Sequence, residues 1–140
     1  MPRIEREARI VWEGNVARGS GTISAGSGAF AELPYSLPTR IAAAAETTSP
    51  EELLAAGHGG CLTMSIASEL AQAGSPPKRL EVTCRVVMDE VEGQGHQIVA
   101  SQVTLAGDEV PDDVLERADA SCPFSTLLRN AGVDVTITRA

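Results

Sequence analysis

The alternation of apolar and polar positions is clearest from Leu80 to Val91, where Leu80, Val82, Cys84, Val86 and Met88 fall on one face and Glu81, Thr83, Arg85 and Asp89 on the other. This predicts a half-buried strand. A turn at Glu92 to Gly95 leads into an antiparallel partner over Gln97 to Leu105, and the pattern then gives short helices over Pro111 to Ala120 and Pro123 to Asn130 and a closing strand over Val133 to Thr138. Upstream, Ile4 to Ile23 reads as a hairpin turning at Glu13, Gly14 and Asn15. Gly19, Gly21, Gly26 and Gly28 then loosen the chain. Phe30 to Arg40, with Pro34 and Pro38, reads as an irregular connection containing short extended pieces.

Between these segments lies one long helix. Ser49, Pro50, Glu51 and Glu52 supply an N-cap, a proline at the first helical position and a carboxylate for a capping box. Gly74, Pro76 and Pro77 end it, so the span is near 50–73. Leu53 to Ser68 hold no charged residue, so most of the circumference is expected to be buried. That uncharged run is 16 residues long and contains three glycines and a histidine, too short and too polar for a bilayer span of roughly 20 residues. Strands, helix, strands, helices, strand is the order of an α+β protein with antiparallel sheet.

The chain of 140 residues fits one domain over 1–140, and 43% hydrophobic content describes a globular chain. The net charge of −8 is spread along the sequence without a basic stripe, which argues against a nucleic-acid partner. Met1 to Val11 carry Arg3, Glu5, Arg6, Glu7 and Arg9, the opposite of a secretory signal, so a cytoplasmic location is expected. In that reducing compartment three cysteines point to catalytic, redox or buried thiols and not to a structural disulfide.

The three thiols separate by context. Cys84 on the apolar face of its strand reads as a small hydrophobe. Cys122 precedes the proline that begins a helix, so its sulfur can sit near unpaired backbone N–H groups that favour the thiolate. Cys61 lies about a dozen residues into the long helix, beyond the reach of the dipole. Burial among Leu54, Leu62 and Met64 would raise its pKa, so a reactive Cys61 requires a cation from outside its own helix. His58, one turn earlier, reads as a packed, hydrogen-bonded side chain; with His96 in a turn and no Cys-x-x-Cys spacing, a zinc site has too few ligands. No Gly-rich stretch has a phosphate-binding pattern.

The stretch Thr48-Ser49-Pro50-Glu51-Glu52-Leu53-Leu54-Ala55-Ala56-Gly57-His58-Gly59-Gly60-Cys61, followed by Cys122-Pro123-Phe124-Ser125, resembles the osmotically inducible protein C and organic hydroperoxide resistance (OsmC/Ohr) family. The resemblance extends to Trp12-Glu13-Gly14, Gly19 to Gly28 and Pro38-Thr39-Arg40, and the Thr-Arg pair favours the OsmC branch. It implies antiparallel sheets wrapped around two long central helices in an intertwined homodimer. It also implies a thiol peroxidase without metal, haem or flavin. In that reading Cys61 is the peroxidatic cysteine, Cys122 the resolving one, Arg40 the activating arginine and Glu51 the carboxylate that orients it, with Arg18 as a reserve cation. Ser49 stands where the family usually has asparagine, and Ile41 where a phenylalanine commonly follows the arginine.

The residues agree with this chemistry. A thiolate attacking a peroxide needs an activated sulfur, a donor for the leaving alkoxide and a second thiol to condense with the sulfenic acid. Leu53, Leu54, Met64 and Phe124 would form an apolar wall suited to organic hydroperoxides. Glu51 and Cys61 are ten residues apart, about 15 Å on a straight helix, so a functional Glu51 requires a bent helix or a second chain. The family suggests a dithiol of the lipoyl type as reductant. Two other classes fit the same residues: a non-catalytic dimer or redox sensor binding a lipophilic ligand in the apolar cleft, and a thiol hydrolase using Cys61 with His58.

Overall fold

The computed structural model describes residues 2–140. The chain divides into two compact units, Met1–Pro50 and Glu51–Ala140.

The first unit is a three-stranded antiparallel sheet in the order β1-β2-β3, with β1 at Ala8–Glu13, β2 at Ser20–Ala25 and β3 at Leu33–Tyr35. The hairpin turn is longer than its Gly14-Asn15 signal suggests. The Trp12 indole N–H donates to Gly14 O at 2.9 Å, and Gly19 N–H donates to Asn15 O at 2.7 Å, so pairing resumes only at Ser20. Gly21 does not loosen the chain but lies within β2, paired with Trp12 on one side and Tyr35 on the other. Those two rings meet edge to face, centroids 5.6 Å apart. A Cβ at Gly21 would fall 2.6 Å from the tyrosine ring and 2.7 Å from the indole, so only glycine leaves room for that contact.

The Phe30 to Arg40 segment is also more regular than expected. It contains β3 and then a five-residue helix, α1, at Leu37–Ile41. Ser36 caps α1 by accepting from Thr39 N–H, and the Thr39 hydroxyl accepts from Ser36 N–H in return. A threonine fills the place that a carboxylate usually takes in this box, which hides the signal from pattern reading. Arg40 lies in the last turn of α1.

In the second unit, α2 at Pro50–Gln72 packs with a sheet of order β4-β5-β6, formed by Leu80–Val91, Gly95–Gly107 and Asp134–Arg139, and with α3 at Asp112–Ser121 and α4 at Pro123–Asn130. The first two strands pair antiparallel with an irregularity between Val87 and Met88. β6 pairs parallel to β5, so the sheet is mixed where the sequence suggests antiparallel pairing throughout. Helices α3 and α4 form the crossover that parallel pairing requires. α2 ends as its glycine predicts: Gly74 has φ +83°, and Ser75 N–H donates to Leu70 O at 2.9 Å.

The core lies along one stripe of α2. Leu62, Ile66 and Leu70 recur every four residues and pack with Val103 and Leu105 of β5, Val114 and Ala118 of α3, and Cys122. A second cluster joins Leu128, Val133 and Val135 to Leu54 and Ile98. The rest of the uncharged α2 surface is open in the single chain: Ala56 and Gly60 are exposed, and Met64 is 76% exposed. Burial around the whole circumference is therefore not met within one chain. No helix among the described residues is long and apolar enough to cross a membrane.

Candidate active site

Cys122 is at once the last residue after α3 and the N-cap of α4. Its extended backbone, φ −79° and ψ 113°, turns its buried sulfur back over the first turn of α4, where it accepts the Ser125 N–H at 3.5 Å. Pro123, at the first helical position, has no N–H to offer. Cys61, on α2, packs against the core cluster that contains Cys122, and the Phe124 N–H and the Cys122 thiol both act on its ionisation.

The balance at Cys61 remains unfavourable to the thiolate within this unit. Burial pushes its pKa up, the Cys122 thiol adds to the rise, and the Phe124 N–H offsets only part of it. Cys61 is half-buried.

The remaining predicted residues lie on several elements. Glu51 lies in the first turn of α2, at the far end of the helix segment that carries Cys61. Arg40 on α1 and Arg18 in the β1–β2 connection belong to the other compact unit. Phe124 lies beside the thiols, its ring against α2 one turn before Cys61: a Cβ at Gly57 would meet the ring at 2.9 Å. Leu53 is half-buried, Leu54 packs into the second core cluster, and Met64 stands on the exposed surface of α2.

A buried polar cluster lies next to this site. His58 is 0% exposed, with Nδ1 2.6 Å from Ser101 Oγ and Nε2 2.8 Å from Ser125 Oγ. Cys84 is not plain apolar filler: its sulfur is 3.3 Å from Ser101 Oγ and 3.7 Å from His58 Nδ1. The packed, hydrogen-bonded state expected of His58 is what is found, but its partners are 43 and 67 residues away. The available signal was two serines, one on the buried face of β5 and one in the Cys122-Pro123-Phe124-Ser125 run.

Burial holds the His58 pKa below its ordinary value near 6.5; the Asp119 carboxylate opposes this shift and Arg129 adds to it. Because the folded pKa lies below the unfolded one, the unfolded chain binds the extra proton first as pH falls, and stability drops below about pH 6.5 until the folded pKa is passed. The expected loss is at most about 1.4 kcal/mol per pH unit in that window. Urea unfolding at pH 7.5 and 5.5 checks this. The wild-type midpoint should fall more than that of His58→Gln, and equal falls would contradict it.

Two open spaces adjoin the second unit's core. The larger, about 1180 Å³, lies where α2 ends and contains no cysteine; in its lining Arg117 pairs with Asp113 and Arg139 with Asp112. The smaller, about 510 Å³, is a groove between α2 and β4 lined by Ala55, Ala56, Gly59, Gly60 and Cys84 among others. Among the described residues no group of His, Cys, Asp and Glu is placed to hold a metal ion.

The scaffold is α+β, and it packs Cys61 of α2 against the core cluster that contains Cys122, the residue between α3 and α4. Residues 43–138 match the family described as OsmC-like protein, and the chain belongs to that family. It is 33% identical to peroxiredoxin OsmC of Escherichia coli, an alignment that covers 90% of this chain and 91% of the relative. Its fold is that of the organic hydroperoxide resistance protein from Elizabethkingia anophelis, with TM-score 0.75 and 21% identity, covering 100% of this chain and 99% of that one. The organic hydroperoxide resistance protein OhrB of Bacillus subtilis is similar to the same degree, with TM-score 0.75, 22% identity and coverage of 96% and 98%.

Proposed function

We propose that the protein is a cysteine-based peroxidase that reduces organic hydroperoxides, and hydrogen peroxide as a smaller substrate, in the cytoplasm. The observation that carries this reading is that Cys61 of α2 packs against the core cluster that holds Cys122, the N-cap of α4. The Cys61 thiolate attacks the distal peroxide oxygen, the O–O bond breaks, and the alkoxide takes a proton to leave as an alcohol. The Cys61 sulfenic acid then condenses with the Cys122 thiol, forming the disulfide and releasing water. A dithiol of the lipoyl type would return both thiols while becoming a disulfide itself.

Arg40 is our candidate for the cation that offsets the upward shift at Cys61 and donates to the leaving oxygen, with Glu51 fixing its guanidinium fork. Phe124 supplies apolar surface next to the reacting sulfur, and Leu53, Leu54 and Met64 extend it. The uncharged α2 surface left open in one chain supports a homodimer in which a second copy covers it. The near-complete coverage of relatives supports reading 1–140 as one functional domain.

A thiol count tests the proposal. One equivalent of an organic hydroperoxide should remove two of the three thiols within seconds, and peptide mapping should find Cys61 joined to Cys122. Slow, unselective loss of all three would favour the ligand-binding alternative instead.

A further inference from the structure

His58, Ser101 and Ser125 come from α2, β5 and α4 and are 0, 0 and 1% exposed. A neutral imidazole has one N–H and one lone pair, so the ring donates to one serine and accepts from the other, and neither nitrogen is left unpaired in the core. The Ser125 it grips is the third residue of α4, the same residue whose backbone N–H holds the Cys122 sulfur. Cys61 packs against the core cluster that contains Cys122.

We propose that His58 is a positioning residue for the second thiol: through Ser125 it holds the first turn of α4 against α2 and so keeps the Cys122 sulfur aimed at Cys61. The inference rests on the peroxidase reading and deepens it. In the condensation, the Cys122 sulfur bonds to the Cys61 sulfur, the Cys61 S–O bond breaks, and the hydroxyl leaves as water with the proton of the Cys122 thiol. That step needs an approach opposite the departing oxygen, and small errors in placement slow it strongly. The first step needs only Cys61 and peroxide. Loosening α4 therefore lengthens the life of the sulfenic acid, which a second peroxide converts to sulfinic acid.

The test is single-turnover kinetics that follow peroxide loss and disulfide formation separately, with Cys61 sulfinic acid read by mass. Four variants are compared with wild type. In His58→Asn the shorter amide reaches only toward Ser101, and Ser125→Ala removes the gripped hydroxyl. His58→Gln extends toward Ser125, and Ser101→Ala cuts the contact that does not lead to α4. The expected result is disulfide formation slowed about tenfold in His58→Asn and Ser125→Ala, as the loss of one buried hydrogen bond allows, with more sulfinic acid and little change in peroxide loss. His58→Gln and Ser101→Ala should stay near wild type.

Wild-type disulfide rates in His58→Asn and Ser125→Ala would overturn the inference while leaving the peroxidase reading standing. Equal slowing of both steps, or equal effects in all four variants, would show a general packing role and overturn it as well. If His58→Asn does not fold, Ser125→Ala decides alone. Wild-type protein that forms no Cys61–Cys122 bond would remove the reading and this inference together.

Discussion

Cys61→Ser is expected to lower peroxide consumption at least about 10³-fold, because a serine hydroxyl gives almost no anion near neutral pH and is a poor nucleophile toward the O–O bond. The remaining thiols do not substitute for it. Cys122 is buried at 0% exposure, and the Cys84 sulfur lies against Ser101 and His58. Cys122→Ser should behave differently. Serine is a preferred N-cap, so α4 keeps its start, and Cys61 can still complete one turnover. The product then stops at the sulfenic acid, and excess peroxide carries it to sulfinic acid. A steady-state hydroperoxide assay with a dithiol reductant, paired with mass analysis of Cys61, reads both outcomes. Undiminished turnover by Cys61→Ser would reject the mechanism outright.

Arg40→Ala should have the next largest effect. Burial and the neighbouring Cys122 thiol raise the Cys61 pKa, and one backbone N–H reverses only part of that rise. Each pKa unit above the working pH costs about tenfold in thiolate, and a nearby opposite charge typically lowers a pKa by about 1–3 units. Removing the guanidinium also removes a donor for the leaving oxygen, worth about 10²-fold in comparable sites. The second-order rate constant with peroxide should therefore fall about 10²-fold or more. The sign of the pH dependence follows from the thiolate being the reactive form: the rate rises with pH through the Cys61 pKa, and in Arg40→Ala that rise moves to higher pH. Arg40→Lys should lie between, keeping the charge but losing the fork. An unchanged rate and profile in Arg40→Ala, with the loss appearing in Arg18→Ala, would move the cation to Arg18.

Most element ends were legible because their signals are local. The Ser49-Pro50-Glu51 start and the Gly74-Ser75-Pro76 stop bracket α2 within a residue of Pro50–Gln72, and the alternation of β4 coincides with Leu80–Val91. α4 matches at both ends, Pro123–Asn130, because a proline after an N-cap has few other uses. β3 was read only as a short extended piece and α1 was missed, since three paired residues and a box closed by Thr39 leave weak periodicity. The parallel pairing of β6 was missed because strand direction depends on the path of α3 and α4, which periodicity does not describe.

The sequence by itself determined most helix and strand boundaries, the family, and Cys61 and Cys122 as the candidate pair, because capping, alternation and short motifs act over a few residues. Only the tertiary structure decided that Cys61 packs against the core cluster holding Cys122, whose sulfur accepts the Ser125 N–H. It alone decided that His58 joins Ser101 and Ser125, 43 and 67 residues away. The physical reason is that a buried donor or acceptor must find a partner wherever the packed chain brings one, and that partner carries no mark of the pairing in its own neighbourhood.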